Sequence, residues 1–247
     1  MNNLPTQYFD LPTLRVAYCE TGSGNNLMLL HGNSESKSIF KQYQTECFAD
    51  FHTYALDSRG HGQSRSVDTE YTIPQFCQDV INFCQEKGIR KTHLVGYSDG
   101  GNITLLLAKT APHLFDRVIA ISPNYLASGS EERFLQALTR QYDRMKRWNR
   151  LGWPNRKKMM RYDLMLNDIG ISAEELKSIR TGMLILYAER EMIKEAHIKQ
   201  IAELIPNSKL QRIDGCHHMN ILNQPGTIAA IRKYLDGNPR EVNQQTP

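Results

Sequence analysis

Apolar residues gather in short runs that stop at glycine or polar clusters, and between those runs they recur at helical spacing. Residues 15–19 alternate, the run over residues 26–30 is apolar without a break from Leu27 up to His31-Gly32, and residues 52–56 end at Asp57-Ser58-Arg59-Gly60-His61-Gly62. Runs of this length bounded by turn residues predict strands. Residues 92–97, 117–122, 183–188 and 209–213 repeat the pattern. Between them, residues 36–48 suit a crossover helix. Ile73, Phe76, Cys77, Val80, Ile81 and Cys84 fall at helical spacing, and Gly88 closes that series. Residues 102–110 are apolar on most faces, which predicts a deeply covered helix, and further helices are expected over 193–205 and 227–235. Strands alternating with helices predict an α/β fold: a mostly parallel sheet of about eight strands, helices on both faces, right-handed crossovers.

One connection breaks the rhythm. From Ser122 to Met183 the chain runs about twice the length of a single crossover helix, which predicts a core over 1–124 and 180–247 and a small helical cap over 125–179. Helices are expected there over 131–148, 155–166 and 173–179. Both tryptophans, Trp148 and Trp153, lie in this segment beside Met145, Met159, Met160 and Met165. Trp148, Trp153 and Met145 are therefore candidate substrate-binding residues of an acyl pocket, although the same side chains would serve to glue the cap helices together.

Charge sharpens this picture. The net charge is +4, yet between residues 131 and 168 ten basic residues face five acidic ones, which leaves the rest of the chain nearly neutral. Such a face is either a solvated exterior or a docking patch for an anionic substrate or an acidic carrier protein. No groove-reading motif accompanies it, so no nucleic-acid partner is expected.

At 247 residues the chain suits one large core. No apolar stretch reaches the length of a membrane span. The start, Met1-Asn2-Asn3-Leu4-Pro5, has neither the basic nor the apolar region of a secretory signal, so a cytoplasmic protein without membrane association is expected. The five cysteines show no C-x-x-C spacing and are expected reduced and mostly buried, with Cys77 and Cys84 on one helix face.

In an open α/β sheet, ligands bind beyond the carboxyl ends of the strands. The polar residues that follow the apolar runs are His31 to Ser34, Ser98, Glu189 to Glu191, and His217 with His218. Gly96-Tyr97-Ser98-Asp99-Gly100 joins a strand directly to a helix, and its two glycines remove side chains where a sharp turn brings backbones together. Ser98 would stand proud of the sheet at a helix N-terminus, with the Asp99 N–H aimed where an oxyanion would form. A serine hydroxyl needs a base within hydrogen-bond reach, usually a histidine held by a carboxylate.

From His31-Gly32 to the terminal helix, the order of these motifs resembles the α/β-hydrolase superfamily in its cap-bearing, esterase-like form. The resemblance implies a second oxyanion N–H at Asn33, or else Ser34. It makes Asp57-Ser58-Arg59-Gly60-His61-Gly62-Gln63-Ser64 a structural loop and leaves His61 without a catalytic place. Family order is serine, acid, histidine. Gly215-Cys216-His217-His218 then selects His218 as base, with His217 as runner-up. Ala188-Glu189-Arg190-Glu191 stands where the family usually shows Gly-(Asp/Glu)-x-Asp, which selects Glu191 over Glu189 despite alanine for glycine and glutamate for aspartate. Asn124 occupies the stretch where some members place the acid, and it cannot ionise.

The implied activity is a serine hydrolase that cleaves a small or medium carboxylic ester or thioester, free or carrier-bound, through an acyl-enzyme on Ser98, with no metal or organic cofactor. Amide, lactone or carbon–carbon bond hydrolysis uses the same triad, and a non-enzymatic sensing homologue is a further alternative that Ala188 and Glu191 keep open. Dehalogenases and epoxide hydrolases of this family carry an aspartate where Ser98 stands.

Overall fold

The computed structural model describes residues 4–68, 70–152 and 156–237. Nine strands form one sheet: β1 (Gln7–Leu11), β2 (Leu14–Thr21), β3 (Asn26–Leu30), β4 (His52–Leu56), β5 (Arg65–Ser66), β6 (Thr92–Tyr97), β7 (Phe115–Ile121), β8 (Met183–Arg190) and β9 (Ser208–His217). The order is β1-β2-β4-β3-β6-β7-β8-β9, with β5 beside β2. From β4 through β9 each neighbouring pair is parallel, whereas β2 runs antiparallel to β1, β4 and β5. This is the expected mostly parallel sheet. The pattern did not name β1 or the two-residue β5; they lie at the antiparallel edge, where a strand need not carry a continuous apolar run.

Among the described residues seven α-helices connect or cover the strands: α1 (Ile73–Glu86), α2 (Asp99–Thr110), α3 (Glu132–Arg150), α4 (Arg156–Leu166), α5 (Ala173–Lys177), α6 (Glu195–Leu204) and α7 (Pro225–Asp236). The central strands are apolar without interruption because both faces are buried. In β3, Met28 and Leu30 join the core that holds α1, α2 and α6, while Leu27 and Leu29 join the core that holds α7. The same alternation divides Val118 and Ala120 from Ile119 and Ile121 in β7. Cys77 and Cys84 are buried on the core face of α1.

Residues 36–48 form two short irregular turns, Lys37–Phe40 and Tyr43–Cys47, in place of one crossover helix. Two constraints deform it. Asp57 accepts from both the Lys37 N–H at 2.6 Å and Lys37 Nζ at 2.8 Å, which ties down the first turn. Phe40, Tyr43 and Phe48 are all buried, and the Tyr43-to-Phe48 spacing is met by a wide turn closed by Phe48 N–H to Tyr43 O at 2.8 Å.

Residues 125–179 carry α3, α4 and α5 between β7 and β8. Met160, Leu164 and Leu176 of α4 and α5 enter the core, while α3 lies against α4 and buries only Leu138 and Met145. Among the described residues no helix is long and apolar enough to cross a membrane.

The loop after β4 is held by charge. Asp57 also accepts from the Gln63 N–H at 2.7 Å, and Arg59 pairs with Asp68 and with Asp79 of α1. Arg59→Ala would leave Asp79 buried without its partner, and a loss of about 3–5 kcal/mol is expected. Urea unfolding of the variant checks this, with a lowered midpoint at an unchanged slope as the expected outcome.

Candidate active site

The turn between β6 and α2 leaves no room for side chains at its ends. A Cβ on Gly96 would lie 2.0 Å from the Gly100 carbonyl oxygen, and one on Gly100 would lie 2.1 Å from that of Leu30. Ser98, between them, has φ +53°, a left-handed conformation that costs a non-glycine residue on the order of 1–3 kcal/mol. The turn is secured by Ser98 N–H to Ile121 O at 2.9 Å and Asn102 N–H to Ser98 O at 3.0 Å. The hydroxyl thereby stands at the N-terminus of α2, in a cavity of about 110 Å3.

His218 follows β9 directly, and the hydroxyl of Tyr97 donates to its carbonyl at 2.8 Å. Its Nε2 lies 3.1 Å from Ser98 Oγ and its Nδ1 lies 2.6 Å from Glu191 Oε2. Glu191, just past β8, accepts from the Ala188 N–H at 2.9 Å, the Met192 N–H at 3.1 Å and the hydroxyl of Ser122. Burial alone would raise the Glu191 carboxyl. The hydrogen bond and charge of His218, joined by the Ser122 and Ala188 donors, outweigh it and hold that carboxyl below its ordinary range. Ser98, His218 and Glu191 are thus brought together. Glu189 is exposed and accepts from the Gly215 N–H at 2.7 Å, which braces the strand end, and His217 is also exposed. His61 is buried with its Nδ1 on Arg59 O at 3.0 Å; burial, then the neighbouring His31, pushes it down to about 3.

Asn33 and Asp99 both line the cavity beside Ser98, and Ser34 does not. Among the described residues no protein acceptor engages the N–H of Asn33 or of Asp99. The Asn33 side chain bridges two elements, giving Nδ2 to Asp99 Oδ2 at 2.8 Å and to Arg161 O at 2.7 Å. Phe134, Met165, Met192, Ile193 and Met219 supply the apolar walls. Met145 is buried between helices and Trp148 is half exposed, so neither lines this cavity, and Trp153 lies outside the described residues. No group of three or more His, Cys, Asp or Glu is arranged to hold a metal ion among the described residues.

Sequence reasoning missed Ser122 and Glu35. Ser122 did carry a signal, since it follows the β7 run immediately, as the other site residues follow theirs. Among the described residues the non-glycine residues with positive φ are Ser34, Ser98 and Ser122, each of which follows the end of a strand. Asn124 bonds with Asn102, its N–H to Asn102 Oδ1 at 2.7 Å.

Residues 25–148 match the family of the alpha/beta hydrolase fold, and the chain belongs to that family. It is 33% identical over 141 residues to the dihydrolipoyllysine-residue acetyltransferase component of the acetoin cleaving system of Cupriavidus necator, a stretch that is 55% of this chain and 37% of the relative. It is 28% identical over 112 residues to 2-(acetamidomethylene)succinate hydrolase of Mesorhizobium japonicum, covering 45% of this chain and 40% of that one. The chain thus spans well under half the length of these two curated relatives, the second of which is named a hydrolase. Solved structures that share the fold include the following two. A hydrolase from Pseudomonas aeruginosa PA01 superposes with a TM-score of 0.77 at 17% identity, over 96% of this chain and 100% of that one. The enol-lactonase from Burkholderia xenovorans LB400 does so with 0.74 at 18%, over 94% and 100%.

Because the folded Glu191 carboxyl lies below its ordinary value of 4.5, it contributes stability that is present above that value and lost as pH falls through the lower folded one. Glu191→Gln is expected to melt below the wild type at pH 6–7, with the gap closing at acid pH. Melting curves across that range check it, and a gap that widens on acidification would refute it.

Proposed function

We propose that this chain is a serine hydrolase that cleaves a small or medium carboxylic ester or thioester through an acyl-enzyme on Ser98. The observation that carries the reading is the continuous path from Ser98 Oγ to His218 Nε2 at 3.1 Å and from His218 Nδ1 to Glu191 at 2.6 Å. In this mechanism Ser98 Oγ attacks the substrate carbonyl while His218 Nε2 takes its proton, and Glu191 stabilises the imidazolium. The N–H groups of Asn33 and Asp99 receive the developing oxyanion. The same proton then passes to the leaving alcohol or thiol. Water, deprotonated by His218, attacks the acyl-enzyme and releases the acid and free Ser98.

Amide and lactone hydrolysis run through the same steps, so the bond type is decided by what the cavity admits. Asn33 and Asp99, as backbone donors, and His218, as base, are indifferent to the leaving group. A carrier-bound substrate is supported by the charge of this segment: of the ten basic residues between 131 and 168 all but Arg161 are exposed, most of them on α3 and the start of α4. Turnover of an acyl group on an acidic carrier should then fall steeply with salt while a small neutral ester is unaffected. Equal salt responses would remove the carrier reading.

The decisive experiment is labelling with a serine-directed fluorophosphonate, alongside turnover of short-chain para-nitrophenyl esters. Ser98→Ala is expected to abolish labelling and to lower turnover by about 10⁴- to 10⁶-fold without unfolding the chain. Labelling that persists in Ser98→Ala would refute the proposal, and a wild type that neither labels nor turns over would favour the sensing homologue.

A further inference from the structure

The wall of the cavity beside Ser98 carries two carboxylates that the proposed acyl transfer does not use. Asp99 is 6% exposed, and one of its oxygens accepts from Asn33 Nδ2 at 2.8 Å. Its other oxygen meets no protein donor among the described residues. Glu35, half-buried, accepts at Oε2 from the Gly32 N–H at 3.0 Å and has no donor at Oε1 among the described residues. Both residues line the cavity, and none of the lining residues is a lysine or arginine. The one basic ring there, His218, is bonded to Ser98 and Glu191.

Elsewhere in the molecule buried carboxylates bring their counter-charge with them: Asp57 has Lys37, and Asp68 and Asp79 have Arg59. Asp99 and Glu35 have none. Burial raises Asp99 to about 6, against the pull of Asn33 and His218, and burial likewise raises Glu35. Asp99 is still largely ionised at neutral pH.

A negative wall works against the chemistry next to it. Acyl transfer builds negative charge on the carbonyl oxygen, at the point the Asp99 N–H addresses, and a carboxylate on the same residue repels that charge. A neutral ester would meet this repulsion in full. A substrate with a cation close to its scissile carbonyl would cancel it and also supply the missing partner for a desolvated carboxylate.

We infer that the acyl group of the substrate carries a protonated amine seated against Asp99 and Glu35, so that the chain hydrolyses esters or thioesters of small amino acids. This rests on the serine-hydrolase reading above. The apolar side chain of such an acyl group would meet Phe134, Met165 and Ile193, and a cavity of about 110 Å3 suits a small one. The net reaction consumes one water: the bond from the acyl carbon to the leaving oxygen or sulfur breaks, the amino acid keeps the new oxygen, and the alcohol or thiol leaves with a proton.

The test compares the para-nitrophenyl esters of valine and of isovalerate, which differ only in the ammonium group, at about pH 7, where most of the amine is protonated. Wild-type kcat/KM is expected to favour the valine ester by about 10- to 100-fold after correction for each ester's spontaneous reactivity. Asp99→Asn keeps the backbone N–H and the shape while removing the charge. It is expected to cut that ratio by about tenfold or more, by losing rate on the valine ester and gaining it on the isovalerate ester, with Glu35→Gln shifting the ratio the same way. Independently of any variant, isobutylammonium is expected to inhibit wild-type isovalerate hydrolysis more strongly than isobutanol does. A wild-type ratio near one, or equal changes on both esters in Asp99→Asn, overturns the ammonium site while fluorophosphonate labelling of Ser98 leaves the hydrolase reading standing. Absence of labelling and of turnover on both esters overturns the reading beneath it.

Discussion

The backbone of α2 enters the sheet so closely at Gly100 that a single methyl group would collide with the Leu30 carbonyl, and the rest of the site depends on that approach. Leu30 ends β3, and the chain leaving it is His31-Gly32-Asn33. Where Gly100 touches β3, Asn33 is therefore carried to the wall of the cavity that holds Ser98. A Cβ on Gly32 would in turn lie 3.0 Å from Ser98 Cβ, so the glycines at 32, 96 and 100 answer to one convergence of three segments. Ser98 bears the remaining strain in its own φ, held by the bond to Ile121 O.

A buried carboxylate is the second constraint. Glu191 is removed from most solvent and would be costly as an isolated anion, yet four donors from Ser122, Ala188, Met192 and His218 surround its two oxygens. The backbone donors come from its own turn, so the acid is positioned by the end of β8 itself. Ser122, just past the neighbouring strand β7 and with φ +51°, reaches it as well. The longer reach of glutamate is thus matched by an additional pin.

Charge is arranged in opposite senses inside and outside. Basic residues crowd the exposed faces of α3 and α4, while the cavity beneath them holds Glu35 and Asp99 without a lysine or arginine. The two features act at different ranges. Charge on the outer face is screened by salt, whereas charge on the desolvated inner carboxylates is screened much less.

The sheet is legible in the pattern of residues alone, because strands buried on both faces must be continuously apolar and the crossover helices between them must be periodic. That pattern also marked Ser98, Glu191 and His218, since each directly follows such a run, and the glycine spacing around Ser98 has a steric cause that needs no partner to be known. It could not anticipate the irregular turns at 37–47, where Asp57 and the packing of Phe40, Tyr43 and Phe48 override helical propensity. Nor could it tell Glu189 from Glu191 except by family likeness; the bulge between β8 and β9 at Ala188/Arg190 accompanies one facing His218 and the other facing Gly215. Which residues of α3 and α4 reach the cavity is set by packing, which draws Phe134 and Met165 inward and leaves Trp148 half exposed. The reason is physical: side chains of similar apolarity compete for the same helix face, and which of them meets the site depends on how far α3 and α4 lean over the sheet, a distance that no local pattern encodes.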